Sequence, residues 1–313
     1  TNPTSSVFTM KAGSVITGTS TFVAYCFKSI DGFSKIGSYT ANNSTDGPIV
    51  ETGFEPAFLM VRNITTNSFN WMMNDNKRNT TNPRNTGLVA NLTNAEATGS
   101  GFAVDFLSNG FQIRNVGDYN TQNGDTIIYM SFAADPDTEA PTVANSFGIQ
   151  AYTGTGSTQT VDGLGFSPSL TWIKGRTNTA SHQIFDTIRG ATFQISSDTS
   201  GAETQNTSML TAFDSDGVTL GGQSSVNGSG VNYVAWNWKS NDNEPTIIPA
   251  AGPDSVDDEY PVVNYHNITY TSSGKFNGGY VFNGTTASGT SGSAIFTPQF
   301  ERNTSIDFSS SGL

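Results

Sequence analysis

Charge is scarce in this chain. Only 13% of its residues are Asp, Glu, Lys or Arg, and acids outnumber bases enough to leave a net charge of −12. Phosphate binding needs a basic face, so this balance argues against a nucleic-acid partner; it also resists aggregation in a crowded assembly. Cysteine is limited to Cys26, which rules out an intrachain disulfide. Lying in an apolar run, that thiol is expected to be a small core side chain rather than a reactive group. The two histidines, His182 and His266, are far apart in sequence, which argues against a histidine-based metal cluster. No uninterrupted apolar stretch approaches the ~18 residues of a membrane span, so membrane insertion is not expected. Lys, Glu and Leu are scarce while Gly, Ser, Thr and Asn abound, a composition that opposes long helices and favours short strands joined by tight turns. An all-β chain is expected.

What the chain does contain is a repeat. Dense apolar runs recur as "GTSTFVAYCFKSI", "GDTIIYMSFAADP" and "SVNGSGVNYVAWNWKSN", and their first large apolar residues, Phe22, Ile127 and Tyr233, lie 105 and 106 residues apart. Other landmarks keep a similar spacing: Gly53-Phe54-Glu55-Pro56 against Gly165-Phe166-Ser167-Pro168, Asp75 and Arg78 against Asp186 and Arg189, Ala95-Glu96 against Ala202-Glu203. Solenoid units run to roughly 20–50 residues, so a unit of this length reads as a self-contained domain. The expected order is the tail of a preceding module (1–33), module 1 (34–136), a linker (137–145), module 2 (146–241), an acidic, proline-containing linker (242–261) and a partial lectin-like segment (262–313). On this reading the chain is a piece of a longer protein. Its modules are beads on stiff spacers, and the chain is built for extension.

Within each module, apolar runs between turn residues predict seven short strands, including Lys35 to Thr40, Ala57 to Arg62 and Thr126 to Ala133 in module 1. In module 2 they include Gly148 to Thr153, Ser169 to Lys174 and Asn232 to Lys239. Seven strands in about a hundred residues suit an antiparallel β-sandwich, jelly-roll-like in build. Ser108-Asn109-Gly110 and Ser215-Asp216-Gly217 read as hairpin turns. The run holding Tyr233, Trp236 and Trp238 is apolar on both faces, so it needs cover on each side. It is read as a core or interface strand, with one face on the opposing sheet and the other on a loop or the neighbouring module, in preference to a stacking platform for ligands.

Catalytic patterns are missing. There is no Gly-x-Ser-x-Gly elbow, His-Glu-x-x-His or phosphate loop, and no cofactor is implied. His182 aligns with Trp71 and is taken as a strand side chain. "DSDG" (Asp214 to Gly217) lacks the spaced ligands of a calcium loop and reads as a turn. "DSVDDE" (Asp254 to Glu259) reads as a solvated linker with enough carboxylates to hold a divalent cation if tightly folded. Glu96 and Glu203 recur after Ala, but the copies share too little nearby acid to argue the facing carboxylate pair of a glycosidase. The pairs Asp75 with Arg78, and Asp186 with Arg189, are read as structural turns in which the carboxylate caps backbone N–H groups and the guanidinium returns to it. Lys77, Arg78 and Arg84, in the loop "NKRNTTNPRNTG", are the candidate surface contacts for a lattice neighbour or an anionic sugar.

The module's words resemble a known family. "GSYTANNSTDGPIVETGFEPAFLMVRN", "DFLSNGFQI", "DTIIYMSFA", "WIKGRTNTASHQIFDTIRG" and "YVAWNWKS" are similar to a domain of unknown function found in tandem in virion proteins of marine bacteriophages, including those of cyanobacteria and pelagic bacteria. "GKFNGGYVFNGTTASGTSGSAIF" resembles the first strands of a laminin-G or concanavalin-like domain. The resemblance implies a virion surface protein, a tail fibre or tail-associated adhesin attaching to host glycan or protein, with other virion proteins and itself, as a homotrimer, for partners. It transfers no catalytic residue. A capsid-attached decoration protein or head fibre is the alternative, and a polysaccharide-degrading tailspike enzyme a more distant one.

Overall fold

The computed structural model describes residues 22–65, 69–120, 122–133 and 146–240, together with the backbone of 275–276 and 306–307. The chain divides into two compact units, one of Thr1–Ser20 with Glu244–Leu313 and one of Thr21–Asn243. In the first, the described residues form a two-residue antiparallel pair, 275–276 with 306–307. The lectin-like expectation and the acidic linker otherwise lie outside the described residues.

The second unit is all-β and built from antiparallel sandwiches. Its first module runs β1 (Ser34–Thr40), β2 (Ile49–Glu51), β3 (Pro56–Asn63), β4 (Met72–Asp75), β5 (Thr86–Val89), β6 (Ala97–Thr98), β7 (Val104–Leu107), β8 (Gly110–Ile113) and β9 (Thr126–Ala133). The order β1-β9-β3-β4-β5-β6 forms one sheet and β2-β8-β7 the other. The second module runs β10 (Phe147–Thr153), β11 (Gln159–Val161), β12 (Leu170–Gly175), β13 (Gln183–Asp186), β14 (Phe193–Gln194), β15 (Thr204–Gln205), β16 (Leu210–Asp214), β17 (Gly217–Leu220), a single helical turn α1 (Ser224–Asn227) and β18 (Asn232–Trp238). Its sheets are β10-β18-β12-β13, extended by β14-β15 through an Ile184–Ile195 bridge, and β11-β17-β16. The two modules therefore share one topology.

Each module closes on its own core. In module 1, Leu59, Val61, Phe106, Phe111, Ile113, Ile127 and Tyr129 fill the space between the sheets. In module 2, Val161, Ile173, Phe185, Leu210, Val218, Tyr233 and Ala235 do the same. The hairpins β7–β8 and β16–β17 turn through Ser108-Asn109 and Ser215-Asp216, with Leu107 paired to Gly110 and Asp214 to Gly217. Gly110 and Gly217 sit where a Cβ would come within 2.0 Å of the Val50 and Val161 carbonyl oxygens, so only glycine lets the neighbouring strands β2 and β11 pair this closely.

A third apolar cluster belongs to neither core. Phe58, Met60, Met73, Leu88, Ala90 and Phe132 of module 1 pack against Phe147, Ile149, Val234, Trp236 and Trp238 of module 2. The modules are packed side by side and are not the separate beads expected from the sequence, because the outer faces of β3, β4, β5 and β9 are too apolar to be left in water.

Candidate functional site

The alternation of β18 explains its double apolar face. Tyr233 and Ala235 turn inward to the core of module 2, while Val234, Trp236 and Trp238 turn outward onto module 1. Tyr233 also anchors α1, donating its hydroxyl hydrogen to the Ser224 carbonyl and accepting from the Gly228 N–H at 2.8 Å. Trp236 and Phe58 meet edge to face with centroids 5.8 Å apart, an arrangement that favours aromatic pairs beyond their buried area.

The recurrent Asp-x-x-Arg turn is where this joint becomes polar. Asp75 Oδ1 accepts from the N–H groups of Lys77 and Arg78 at 3.1 and 2.8 Å, and Oδ2 accepts from Arg78 Nε at 2.6 Å. Arg78 Nη2 donates to the Met73 carbonyl at 3.1 Å. Across the joint, Trp236 Nε1 donates to Asp75 Oδ2 at 3.1 Å, and the Arg78 guanidinium lies over the Trp236 ring, 5.6 Å from its centroid. The ion pair is fully buried, so its charges are held by each other and by the turn.

Module 2 repeats the turn. Asp186 Oδ1 accepts from the Arg189 N–H at 2.9 Å, Arg189 Nε reaches Asp186 Oδ2 at 2.6 Å, and Nη2 donates to the Ile184 carbonyl at 3.0 Å. The position that Trp236 holds over Asp75 is taken here by Tyr25, whose hydroxyl donates to Asp186 Oδ2 at 2.7 Å and accepts from Arg189 Nη2 at 3.2 Å. Burial, and then the hydrogen bond to the Asp186 carboxylate, hold the Tyr25 phenol above its ordinary pKa.

Three further contacts lock the joint. Glu96 of module 1 receives Arg176 of module 2 bidentately, with Nε and Nη2 each 2.9 Å from a carboxylate oxygen, and the Glu96 N–H donates to the Arg176 carbonyl at 2.8 Å. Lys174 Nζ donates to the Thr93 carbonyl at 3.2 Å as well as to Gly175 and Asn178 of its own module, and burial pulls its pKa down to about 8. His182, fully buried, accepts from Trp172 Nε1 through Nδ1 at 2.8 Å, which leaves Nε2 to donate to the Val89 carbonyl at 3.0 Å. Burial, with the Lys174 charge second, lowers its pKa to about 3, so the ring is neutral. It is a packing and hydrogen-bonding residue of the joint.

The basic loop is largely internal. Lys77 is exposed, but Arg78 and Arg84 are buried, which corrects their expected place as surface contacts. Arg84 lies over the Phe106 ring at 4.7 Å and donates to the Asn79 carbonyl, while its backbone N–H donates to the Val104 carbonyl at 2.7 Å and Glu55 lies 3.8 Å from its guanidinium. Cys26, expected in a core, is exposed. Asp216 accepts from the N–H groups of Gly163 and Gly165, and Asp214 from Thr219 at 2.7 Å, so the "DSDG" carboxylates hold loops. Among the described residues no group of three or more His, Cys, Asp or Glu is placed to hold a metal ion, and no helix is long and apolar enough to cross a membrane.

Sequence reasoning did not find the Glu96–Arg176 clamp, the Lys174 and His182 bonds to module 1, or the role of Tyr25. The repeated Ala-Glu was a visible signal for the first. For Tyr25 the signal was its place in the repeat, three residues after Phe22 as Trp236 is three after Tyr233.

No curated protein and no solved structure matches the chain. A family model matches two stretches, residues 1–136 and 143–252, whose intervening gap lies between the modules. The chain belongs to the family described as Domain of unknown function (DUF7483).

Proposed function

We propose that this protein is a structural component of a bacteriophage virion, a tail fibre or tail-associated adhesin that carries its β-sandwich modules to the host surface. The observation that carries this reading is the joint itself. Aromatic packing, the Trp236 hydrogen bond to buried Asp75 and a bidentate clamp hold two modules as one body, which suits a part that must transmit position and force without bending. Of the recurrent polar residues, Asp75, Arg78 and Glu96 are engaged in building the joint. The resemblance of the modules to domains of marine phage virion proteins supports the same role. Other virion proteins and further copies of the chain, as a homotrimer, are the proposed partners. Host glycan or protein would be bound weakly at each module and strongly by many. Lys77, the exposed base of its loop, is the side chain proposed for an acidic sugar.

Gold-labelled antibody against residues 34–240, imaged on intact particles, tests this reading together with adsorption of phage to host cells in the presence of the purified chain. Label on the tail and reduced adsorption are expected. Label on the capsid lattice would move the protein to a decoration or head-fibre role, and unlabelled particles would overturn the virion reading.

A further inference from the structure

Phe27, Phe132 and Trp238 occupy the same position in three successive closing runs, 105 and 106 residues apart. In the folded chain their rings meet. The centroids are 5.5 Å apart for Phe27 and Phe132, 5.8 Å for Phe27 and Trp238, and 5.7 Å for Phe132 and Trp238, a triangle of nearly equal sides. Equivalent residues equally spaced about one point are what a threefold arrangement of equivalent modules produces.

The polar contacts run round the same point in one sense. Trp236 of module 2 donates to Asp75 of module 1, and Tyr25, the residue equivalent to Trp236, donates to Asp186 of module 2. A head-to-tail contact of this kind closes into a ring if its rotation does. Only the step from module 1 onward has no acceptor in view, and there Met130 stands where Trp236 and Tyr25 stand in the other runs.

Burial marks both sides of the third seat. Along residues 22–26 the side chains equivalent to inward core residues, Phe22, Ala24 and Cys26, are exposed, while Val23 and Tyr25, equivalent to joint residues, are half-buried. Phe22 is 51% exposed where Ile127 and Tyr233 are wholly buried, and the equivalents of Cys26, Ser131 and Asn237, are wholly buried as well. On module 1, Ile36 is 39% exposed, whereas Ile149 in the same place on module 2 is covered. On module 2, Leu170 and Trp172 are half-buried where Phe58 and Met60 are covered, and Glu203, 40% exposed, bonds Arg189 but has no counterpart to the Arg176 that clamps Glu96.

We propose that residues 22–30 are the closing strand of a third module of this fold, and that the three modules form a closed ring about an axis through Phe27, Phe132 and Trp238. That module would cover Ile36 and Met130 with the outer face of its own third and fourth strands, and would bring a base to Glu203. The proposal stands apart from where the protein resides.

Cys26, the chain's one cysteine, reports on it. The 313-residue chain is compared with two extended forms, in which a copy of residues 34–115 or of residues 146–221 is placed directly ahead of Lys11, so that the repeat register runs on into residues 22–30. A maleimide is expected to label the parent quickly and an extended form at least about a hundred-fold more slowly, as for a thiol reached only by local opening. Ile36→Asp is expected to leave the parent's thermal midpoint almost unchanged and to lower that of the protected extended form by several degrees. Labelling slowed by neither extension overturns the third module. Slowed labelling with an Ile36→Asp effect equal in both chains overturns the ring. Protection of Cys26 in a parent that light scattering shows to be dimeric gives the seat to a second copy and overturns the proposal too.

Discussion

His182 must stay neutral to remain in the joint, since Nδ1 accepts from Trp172 and Nε2 donates to Val89. Its folded pKa, about 3, lies below the unfolded value of 6.5. Between those limits the unfolded chain binds the extra proton, so stability is complete above about pH 6.5 and falls as pH drops, by up to about 1.4 kcal/mol per unit. Urea denaturation from pH 7 to 4 is expected to show that slope, and His182→Gln to flatten it; an unchanged slope would assign the acid sensitivity to other groups. The two Asp–Arg pairs allow a comparison at the same scale. Asp75→Asn removes the nearer of the two carboxylates that hold the fully buried Arg78 charge, leaving Glu96 at 3.2 Å, and is expected to cost about 3 kcal/mol. Asp186→Asn should cost less, because Arg189, unlike Arg78, keeps some contact with solvent. Equal losses by urea titration would refute the role of burial.

At the scale of elements, the long apolar strands were legible and several two- and three-residue strands were not. The expected Thr126 to Ala133 coincides with β9, since both faces of that run are apolar and its ends are turn residues. By contrast β2, β6, β11 and β15, each two or three residues long, carry no alternation that sets them apart from loop, and exist because a neighbouring strand offers a ladder to pair with. The tight hairpins depend on glycine for a reason visible only across the sheet. Gly110→Ala and Gly217→Ala push a Cβ into a carbonyl of the adjacent strand and are expected to destabilise by about 1–3 kcal/mol. Gly101→Ala, with open space around it, should be nearly neutral. Thermal melts of the three variants check the contrast.

For the whole molecule, the decisive fact is that two modules share an apolar cluster. Trp236 is wholly buried between them, bonded to Asp75 and stacked under Arg78. Trp236→Ala removes packing and a hydrogen bond from a wholly buried site, at a cost of about 3–5 kcal/mol. Scanning calorimetry is expected to show one cooperative transition in the parent and two in the variant, as the modules begin to unfold separately. Two transitions in the parent would mean that the joint does not couple them.

The sequence by itself determined the all-β class, the strands with strong apolar runs and the existence of equivalent modules, because alternation, turn residues and spacing are local or periodic and survive without contacts. It also placed Asp75 with Arg78 and Asp186 with Arg189 in turns, as partners three residues apart can meet within one turn. Which faces the modules bury against each other was decided only by the tertiary structure. While contacts inside module 1 turned Arg84 inward, that choice set Trp236 over Arg78 and made Glu96, Lys174 and His182 parts of one joint. Their partners lie scores of residues away, and nothing in a local pattern says which distant surface will arrive to take a buried donor or an uncovered ring.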